Sequence, residues 1–250
     1  MKLQIFGSTG MLGQMVIREA LASGHSIHTG MGRIEAVTAE KIEGDVVINC
    51  AGIVKQRKTR ISRLMLANAV GPHKLAEEAD TRGLRIIHIS TDCVFAGGGP
   101  HYEFDAPDAQ DAYALSKHAG EVTYGPHVTL RTSFVGFGAH GLIHDLQTLK
   151  RVSVSQNLLW TGHTVDTVAK AIIWIVERPQ VTGLIHMPGT EQNRYTLARD
   201  LKAKWNFPAK LDKDDGFAAD RRLASGKWDF MGLPSIPSFE EQLDTMAGPI

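Results

Sequence analysis

The sequence is poor in cysteine, has no excess charge and contains no long apolar run. Among its 250 residues, the two cysteines, Cys50 and Cys93, have a spacing typical of neither a metal site nor a redox pair. Basic and acidic residues number 27 each, so no net charge attracts nucleic acid or an anionic membrane. The first apolar run stops at Gly7, too early for a signal peptide, and no stretch is long enough to span a bilayer. We therefore expect a cytoplasmic protein that binds neither nucleic acid nor membrane and holds no metal.

What the sequence does contain is a regular alternation of apolar strands and amphipathic helices. A helix begins near Met11 and stops near Gly24, and a second, longer helical stretch carries Gly71-Pro72 near its middle, which predicts a kink or two abutting helices. Strands are predicted at residues 3–6, 26–30, 45–50, 84–90 and 127–133. Strands that alternate with helices are typical of α/β proteins with a doubly wound parallel sheet covered on both faces.

The C-terminal part is less regular. A helix ending near Pro179, a strand in "GLIHMPG" and a helix in "TLARDLKAKWNF" are predicted there. No repeat or low-complexity linker separates it from the rest. We expect residues 1–133 to form a dinucleotide-binding core of Rossmann type, and residues 134–250 to complete that core and to form a small substrate-binding lobe.

The loop after the first strand is rich in glycine. "FGSTGMLG" places Gly7, Gly10 and Gly13 at the first strand-to-helix junction. Glycines there let the backbone approach a pyrophosphate, whose charge is stabilised at the helix N-terminus. A turn required only for tight packing is the alternative, and the position of the loop favours the dinucleotide.

The residues at the tip of the second predicted strand indicate which dinucleotide the chain would bind. In "HTGMGRIE" no carboxylate stands at the tip, where an NAD-preferring site usually has one for the ribose hydroxyls. Arg33 follows and could hold a 2′-phosphate through two hydrogen bonds. The sequence therefore favours NADP(H). NAD(H) stays open because Glu35 is close by and because Arg33 could simply be solvated.

The stretch "DAYALSKHAG" places Tyr113 and Lys117 four residues apart. On a helix these positions share a face, so that the phenol and the amine can act on one ligand. A nearby cation lowers the pKa of a tyrosine, which makes a general acid or base of it. Taken alone, the pair could equally be a half-exposed tyrosine and a solvated lysine.

In chain order, "GSTGMLG", "INCAG", "ISTDCVFAG", "YALSKHAGE" and "LRTSFVG" resemble the extended short-chain dehydrogenase/reductases, and among them the dTDP-4-dehydrorhamnose reductase branch. The resemblance covers nearly the whole chain. It implies NAD(P)H-dependent reduction of a keto group on a nucleotide-activated deoxysugar. An epimerase or dehydratase on the same scaffold, or a non-catalytic dinucleotide-binding regulatory subunit, are the alternatives.

The resemblance also implies roles for individual residues. Tyr113 would protonate the reduced carbonyl oxygen, and Lys117 would lower the pKa of Tyr113 and hold the nicotinamide ribose. Thr91 would bond the same oxygen. Asn68 would steady Lys117 through a proton relay.

Further contacts are implied at the loops that follow the strands. Cofactor contacts are expected from Gly7, Thr9, Gly10, Met11, Leu12, Gly13, Arg33, Cys50, Ala51, Gly52, Ser90, Tyr113, Lys117, Thr132 and Ser133. Substrate contacts are expected from Thr91, Asp92, Val94, Phe95, Lys55 and Arg222. The basic run from Lys55 to Arg63, which includes Arg57 and Lys58, could receive a diphosphate or be a solvated loop. Trp160 could line the sugar pocket or belong to the core, and His88 receives no role.

The sequence departs from the family in one segment. Between the second strand and "DVVINC", residues 31–44 leave no room for the further strand and helix that relatives usually have there. The wall near the adenine is therefore expected to be trimmed. A homodimer is left open.

Overall fold

The computed structural model describes residues 1–55 and 59–248. The first half contains β1 (Lys2–Phe6), α1 (Met11–Ala22), β2 (Ser26–Thr29), β3 (Val46–Asn49), α2 (Ile61–Met65), α3 (Gly71–Asp80), β4 (Arg85–Thr91), α4 (Ala112–Ala119) and β5 (Val128–Thr132). The second half contains β6 (Phe134–Val135), α5 (Leu142–Thr148), β7 (Arg151–Trp160), β8 (His163–Thr164), α6 (Val165–Val176), β9 (Gly183–His186), β10 (Gln192–Asn193), α7 (Arg194–Trp205), β11 (Lys210–Asp220) and α8 (Phe239–Thr245).

The main sheet of the described residues has six parallel strands in the order β2-β1-β3-β4-β5-β9. The chain leaves β1 toward β2 on one side and continues from β3 on the other, so the order reverses between β1 and β3. Ligands of open α/β sheets bind at such a reversal, outside the carboxyl ends of the strands. The predicted Rossmann-type fold is confirmed.

Near Gly71-Pro72, where a kink or two abutting helices were predicted, a π-helical turn, Leu66–Val70, joins α2 to α3. The backbone stays helical across both junctions, and Pro72 stands in the first turn of α3. The segment between β2 and β3 holds two short 3₁₀ turns, Ile34–Ala36 and Ala39–Lys41, in place of a further strand and helix. The expected trimming on the adenine side is therefore present.

The core of the sheet is made of β-branched and leucine side chains. All four residues of β3 and all seven of β4 are buried. The helix α6 packs against α1 and adds its apolar face to the same cluster, so that α6 and β9, from the C-terminal half, complete the layer of the main sheet. Among the described residues, no helix has the length and apolar character needed to cross a bilayer.

The other C-terminal elements form a separate layer, which we call the lobe: α5, β7, β10, α7, β11 and α8. Its sheet has the order β10-β7-β11. A second apolar cluster lies beneath it, built from residues such as Leu146, Leu197, Leu201 and Phe239. Trp160 is buried in this cluster and donates from Nε1 to Ser133 Oγ at 2.7 Å, so its side chain belongs to the core.

Candidate active site

The glycine loop between β1 and α1 is tightly packed on one side and open on the other. Gly7 has φ +76°, and a Cβ there would lie 2.6 Å from the Ala51 nitrogen. A Cβ on Gly13 would lie 2.2 Å from the Gly7 carbonyl oxygen. Gly10, by contrast, is exposed and precedes α1 without any side chain capping the helix. Packing therefore requires Gly7 and Gly13, whereas Gly10 leaves the first N–H groups of α1 open to an anion.

Other residues predicted to bind a cofactor lie around this loop. Thr9 is exposed, Met11 is half-buried, and Leu12 is buried in the main core, so only its backbone can meet a phosphate. Arg33 is exposed just beyond β2. The residues that follow β3, namely Cys50, Ala51 and Gly52, range from half-buried to exposed.

Tyr113 and Lys117 are brought together with the end of β4 by α4. Asp111 caps this helix through its side chain, which accepts from the Tyr113 and Ala114 nitrogens at 3.1 Å each. Lys117 is 6% exposed and its Nζ donates to the Ile89 carbonyl oxygen at 2.7 Å. Tyr113 is half-buried and its phenol lies near Thr91, the last residue of β4, whose own hydroxyl donates to Asp92 Oδ1 at 3.1 Å. The phenol, the amine and the threonine hydroxyl therefore meet at the carboxyl edge of the sheet.

The electrostatics of Tyr113 differ from the prediction. Burial raises its pKa, the nearby Cys93 raises it further, and the polar side chain of Thr91 opposes the rise. Burial also lowers the pKa of Lys117 to about 8, against the opposing effect of Glu121 and Cys50. The predicted lowering of the tyrosine pKa is wrong for this structure, because the phenol's loss of hydration outweighs the effects that would lower its pKa.

Asn68 does not have the partner that was predicted. Its Oδ1 accepts from the Ile53 nitrogen at 2.8 Å, and its Nδ2 donates to the Ile53 carbonyl at 2.9 Å and to Ser116 Oγ at 3.2 Å. The Asn68 amide thus joins the loop after β3 to α4. The polar neighbours of the Lys117 amine among the described residues are the Ile89 carbonyl and His88 Nε2, at 3.4 Å. Asn68 therefore makes no direct hydrogen bond to Lys117 in this structure, and its part in a proton relay stays a prediction.

Several other residues that were predicted to contact cofactor or substrate have side chains with other partners. Ser90 Oγ donates to Glu121 Oε1 at 2.7 Å. Val94 and Phe95 are fully buried with Leu223 in a small apolar cluster, so their side chains cannot bind substrate. On β5 and beyond, Thr132 is buried with its hydroxyl 3.7 Å from Met187 Sδ, and Ser133 Oγ accepts from Trp160.

The basic residues predicted to contact substrate are paired with carboxylates where the structure describes them. Lys55 forms an ion pair with Asp111 at 2.9 Å, and Arg222 is held by Asp220 and Glu191, so neither guanidinium nor ammonium is presented freely to a substrate. Arg57 and Lys58 lie outside the described residues. The cations at the site are instead Arg221 and Arg194, described next.

Arg221 and Arg194 form a cationic pair around Asp92 and Cys93, and we call these four residues the lobe-side cluster. Arg221 Nη1 lies 3.5 Å from Cys93 Sγ, and its Nε is buried without a hydrogen-bond partner. Both arginines act on the carboxyl of Asp92, opposing the rise of its pKa that burial causes. Neither cysteine is part of a disulfide, and burial raises the pKa of Cys93 to about 12.

Two residues of this region, Arg194 and His88, could not be predicted as site residues from the sequence. Arg194 is the first residue of α7, and the only sequence signal was the capping Asn193 before it. His88 is fully buried on β4, opposite Asn49 of β3, and alternation alone indicated only that it faces away from Ile87 and Ile89. Neither pattern carries information on what the side chain meets.

The chain has a six-stranded parallel sheet with an open glycine loop at its first strand-to-helix junction. A threonine, a tyrosine and a lysine lie at the carboxyl edge of that sheet. These features define a Rossmann-type protein of the extended short-chain dehydrogenase/reductase class. A family profile described as RmlD substrate binding domain matches residues 1–213. The chain belongs to this family, which confirms the resemblance that the sequence indicated.

Relatives and solved structures agree with this assignment. The dTDP-4-dehydrorhamnose reductase of Salmonella typhimurium is 29% identical over 216 residues, covering 75% of this chain and 72% of that protein. The protein of the same name from Escherichia coli K12 is 27% identical over 245 residues, covering 85% and 82%. A dTDP-4-dehydrorhamnose reductase from Bacillus anthracis, solved in complex with NADP, has a TM-score of 0.84 at 21% identity and covers 98% of both chains. At that identity the structural likeness concerns the fold.

Proposed function

We propose that this chain catalyses the NAD(P)H-dependent reduction of a keto group on a nucleotide-activated deoxysugar, as the relatives named dTDP-4-dehydrorhamnose reductase do. It is an oxidoreductase of the short-chain dehydrogenase/reductase type. The observation that carries the proposal is the meeting of Thr91, Tyr113 and Lys117 at the carboxyl edge of the sheet.

The loop at α1 fits a dinucleotide. Gly10 is exposed, and the first N–H groups of α1 are free of any capping side chain. A pyrophosphate is bound favourably by such a helix N-terminus. Arg33, exposed beyond β2, supports NADP(H), with NAD(H) also usable. Solved relatives by fold were obtained with NADP in one case and with NAD in another.

The chemistry assigns distinct tasks to the residues of the cluster. The bound nicotinamide supplies the hydride. Negative charge then grows on the substrate's carbonyl oxygen, and the hydroxyls of Thr91 and Tyr113 stabilise it by donating hydrogen bonds. Because burial raises the pKa of Tyr113, the phenol keeps its proton at neutral pH and can deliver it to this oxygen. Lys117 lies one turn further along α4 and orients the cofactor ribose.

The lobe-side cluster supports an anionic substrate. Arg194 and Arg221 are close enough to act on each other's charge and on the buried carboxyl of Asp92. Among the described residues, the Nε of Arg221 has no partner and offers a further donor. Two guanidinium groups suit the diphosphate of a sugar nucleotide, because arginine binds phosphate oxygens through two parallel hydrogen bonds.

One observation favours a second candidate, an epimerase or dehydratase on the same scaffold. Such reactions require an acid or base beside the tyrosine, and Cys93 lies against both Tyr113 and Arg221. The pKa of Cys93, about 12, keeps it a thiol at neutral pH, which disfavours it as a base. Reduction is therefore the better supported function.

The experiment mixes the purified chain with NADPH and a panel of nucleotide 4-keto-6-deoxysugars while the absorbance of the reduced nicotinamide is recorded. Loss of absorbance that depends on the sugar supports reduction. A changed sugar without net consumption of NADPH indicates the epimerase or dehydratase. Tight NADPH binding without any change in the sugar contradicts catalysis and indicates a binding subunit.

A variant pair tests the assignment of the acid. We expect Tyr113→Phe to lower kcat about 100- to 10,000-fold, as for loss of a general acid, with the Kd for NADPH nearly unchanged. Tyr124→Phe is the matched control, because Tyr124 bonds His73 on the far side of α3. Full turnover in Tyr113→Phe would show that another group protonates the oxygen.

We also infer a cytoplasmic homodimer. Two free thiols suit a reducing compartment. On the outer face of α2, the π-helical turn and α4, the side chains of Ile61, Leu66, Val70 and Leu115 are 45–65% exposed. A second copy of the chain would bury this apolar face. Light scattering should give a dimer for the wild type and a monomer for Leu66→Glu.

A further inference from the structure

The segment that follows β11 carries Arg221 from the lobe back to the main layer, and we call residues 221–226 the return segment. Its backbone is paired with the loop that contains His101. The His101 nitrogen donates to the Arg222 carbonyl oxygen, and the Ala224 nitrogen donates to the His101 carbonyl oxygen, at 2.8 Å each. The place of the Arg221 side chain therefore depends on what holds this pair of segments.

One buried side chain, that of His186, contacts both segments at once. It is the last residue of β9 and is 0% exposed. Its Nδ1 lies 3.0 Å from the His101 carbonyl oxygen and 3.1 Å from the Ala224 carbonyl oxygen. Its Nε2 lies 3.1 Å from Nη1 of Arg131, the residue paired with it on the neighbouring strand β5. The imidazole thus joins the return segment to the main sheet.

The chemistry of these partners fixes the protonation of His186. A guanidinium only donates hydrogen bonds, so Nε2, which faces Arg131, must be the accepting nitrogen. A carbonyl oxygen only accepts, so Nδ1, which faces two carbonyls, must carry the proton. Both sides of the ring require the same neutral tautomer. An imidazolium would instead bring Nε2–H against the N–H groups of Arg131.

The charged groups around His186 are consistent with a neutral ring. Burial lowers the pKa of His186 to about 4, and the charge of Arg131 also lowers it, while Glu103 and the two carbonyls oppose this effect. The Glu103 carboxylate is itself engaged, because it accepts from the His186 nitrogen at 3.1 Å, from the Gly226 nitrogen at 3.0 Å and from the Ser225 hydroxyl. At pH 7 the imidazole is therefore neutral, as its hydrogen bonds require.

The contacts continue from His186 to the helix that carries the proposed acid. Arg131 donates from Nε and Nη2 to the two oxygens of Glu121, at 2.7 Å each. Glu121 follows directly after α4, and Tyr113 lies on α4. A sugar nucleotide that meets Tyr113 with its keto group and Arg221 with its diphosphate has a separation between these groups that its covalent structure limits. Binding therefore depends on the placement of the two residues relative to each other.

We propose that His186 is a positioning residue for Arg221: its Nδ1–H fixes the return segment to the buried Arg131–Glu121 pair and so holds Arg221 at the distance from Tyr113 that a sugar nucleotide requires. Glu103 holds the far end of the return segment, at Ser225 and Gly226, whereas His186 acts nearer to Arg221. This inference deepens the proposed function and rests on it for the role of Arg221.

The first test needs no substrate. Nitrogen-15 NMR of the full-length chain at pH 7, assigned with His186→Asn, should show His186 as the neutral Nδ1–H tautomer. A charged ring, or a neutral ring with its proton on Nε2, would overturn the proposal.

The second test is a double-mutant cycle on the affinity for dTDP and UDP, measured by calorimetry. We expect Arg221→Met to raise the Kd of the bound nucleotide about 10-fold and His186→Leu to raise it about 5-fold. The double variant should stay within about twofold of Arg221→Met, because no arginine is left to position. Independent effects would multiply to about 50-fold and would overturn the proposal, as would an unchanged Kd in either single variant.

Two further variants separate positioning from a general loss of structure. His186→Asn keeps an N–H close to the place of Nδ1 and should restore the Kd to within about twofold of the wild type. His144→Leu is the control, on α5 with 37% of its side chain exposed. The Kd for NADPH should be unchanged throughout. Should His186→Leu fail to fold, His186→Gln replaces it in the cycle, because its longer side chain places the amide near the position of Nε2.

Turnover distinguishes this inference from the proposed function. If the chain reduces its substrate, His186→Leu should raise the KM for the sugar nucleotide by the same factor as the Kd, with kcat within about twofold of the wild type. The expected cycle without any reduction would reject the reductase function alone. Reduction by a wild type whose cycle gives independent effects, or which binds neither nucleotide, would reject the role of His186 alone.

Discussion

Two arginine–carboxylate pairs with almost the same geometry lie in the two halves of the molecule. In the main layer, Arg131 donates from Nε and Nη2 to the two oxygens of Glu121, at 2.7 Å each. In the lobe, Arg151 donates from the same atoms to Asp212 at 2.8 and 2.6 Å. The side chains of the first pair are 2% and 3% exposed, and those of the second are 62% and 32% exposed. Because the geometry is shared, a difference in their effect must come from burial and from the further partners of the buried pair, such as Ser90 and His186.

The same contrast separates the two layers as a whole. The seven residues of β4 are all buried, whereas most of β11 is exposed. Glu121 ties the end of α4 to β4 through Ser90 and to β5 through Arg131, and α4 carries Tyr113 and Lys117. The groups proposed to react are therefore held by the buried layer. The lobe contributes the two arginines proposed to bind substrate from less buried elements, where sequence can change with little loss of stability.

The largest effect is expected from Arg131→Met. It leaves the Glu121 carboxylate buried without its cation, which typically lowers the free energy of unfolding by about 3–5 kcal/mol. Urea unfolding followed by circular dichroism measures this loss. A loss below about 1 kcal/mol, the range of exposed pairs, would show that burial does not separate the two arginines.

A second contrast concerns close packing of glycine. In Gly13→Ala the new Cβ meets the Gly7 carbonyl oxygen at 2.2 Å, a backbone atom that cannot move away, and we expect a loss of about 1–3 kcal/mol together with weaker NADPH binding. In Gly216→Ala, on β11 of the lobe, the nearest atom is Asp214 Oδ1 at 3.3 Å, the end of a flexible side chain. Unfolding and NADPH fluorescence titrations should therefore distinguish the two variants. Equal losses would remove this distinction between the layers.

The buried layer is also the part that the sequence could predict. Its strands are short apolar runs, such as "VVIN" in β3, and a run of this kind is buried wherever it lies in a parallel sheet. The order of the motifs then indicated the family and brought Thr91, Tyr113 and Lys117 to one edge. The glycine loop and the irregular helix around Gly71-Pro72 were predicted from local patterns, whereas the trimmed segment was predicted by comparison with the family.

What the sequence could not predict are contacts between distant segments. Phe95 was expected at the substrate because of its place in "STDCVF", yet it is enclosed by Val94 and Leu223. Arg222 and Arg221 are adjacent in sequence, and only the fold decides that the first meets Glu191 while the second meets Cys93. The direction of the Tyr113 pKa shift likewise depends on burial, which outweighs the effects that would lower the pKa.

A smaller effect is expected from acid. Hydrogen bonds from Arg131, Ser90 and His118 outweigh burial and lower the pKa of Glu121 below its ordinary value of 4.5. A carboxyl whose folded pKa is lowered stabilises the fold above its unfolded pKa, and this stabilisation is lost as the pH falls through the folded value. The wild type should therefore lose stability below pH 4.5 more steeply than Glu121→Gln, as measured by urea unfolding at a series of pH values. Parallel curves for the two proteins would contradict this assignment.

The smallest effect is expected from Asp212→Asn, the lobe counterpart of the first variant. Its hydrogen bonds to Arg151 are short, and they lower the pKa of Asp212, yet water can replace them because the guanidinium is exposed. We expect no measurable change in Tm, in the urea midpoint or in kcat. A loss comparable with that of Arg131→Met would mean that the Arg151–Asp212 pair holds β7 and β11 together despite its exposure. The lobe would then have to be regarded as fixed by polar contacts at its edge, and not by the apolar cluster around Leu197 and Phe239.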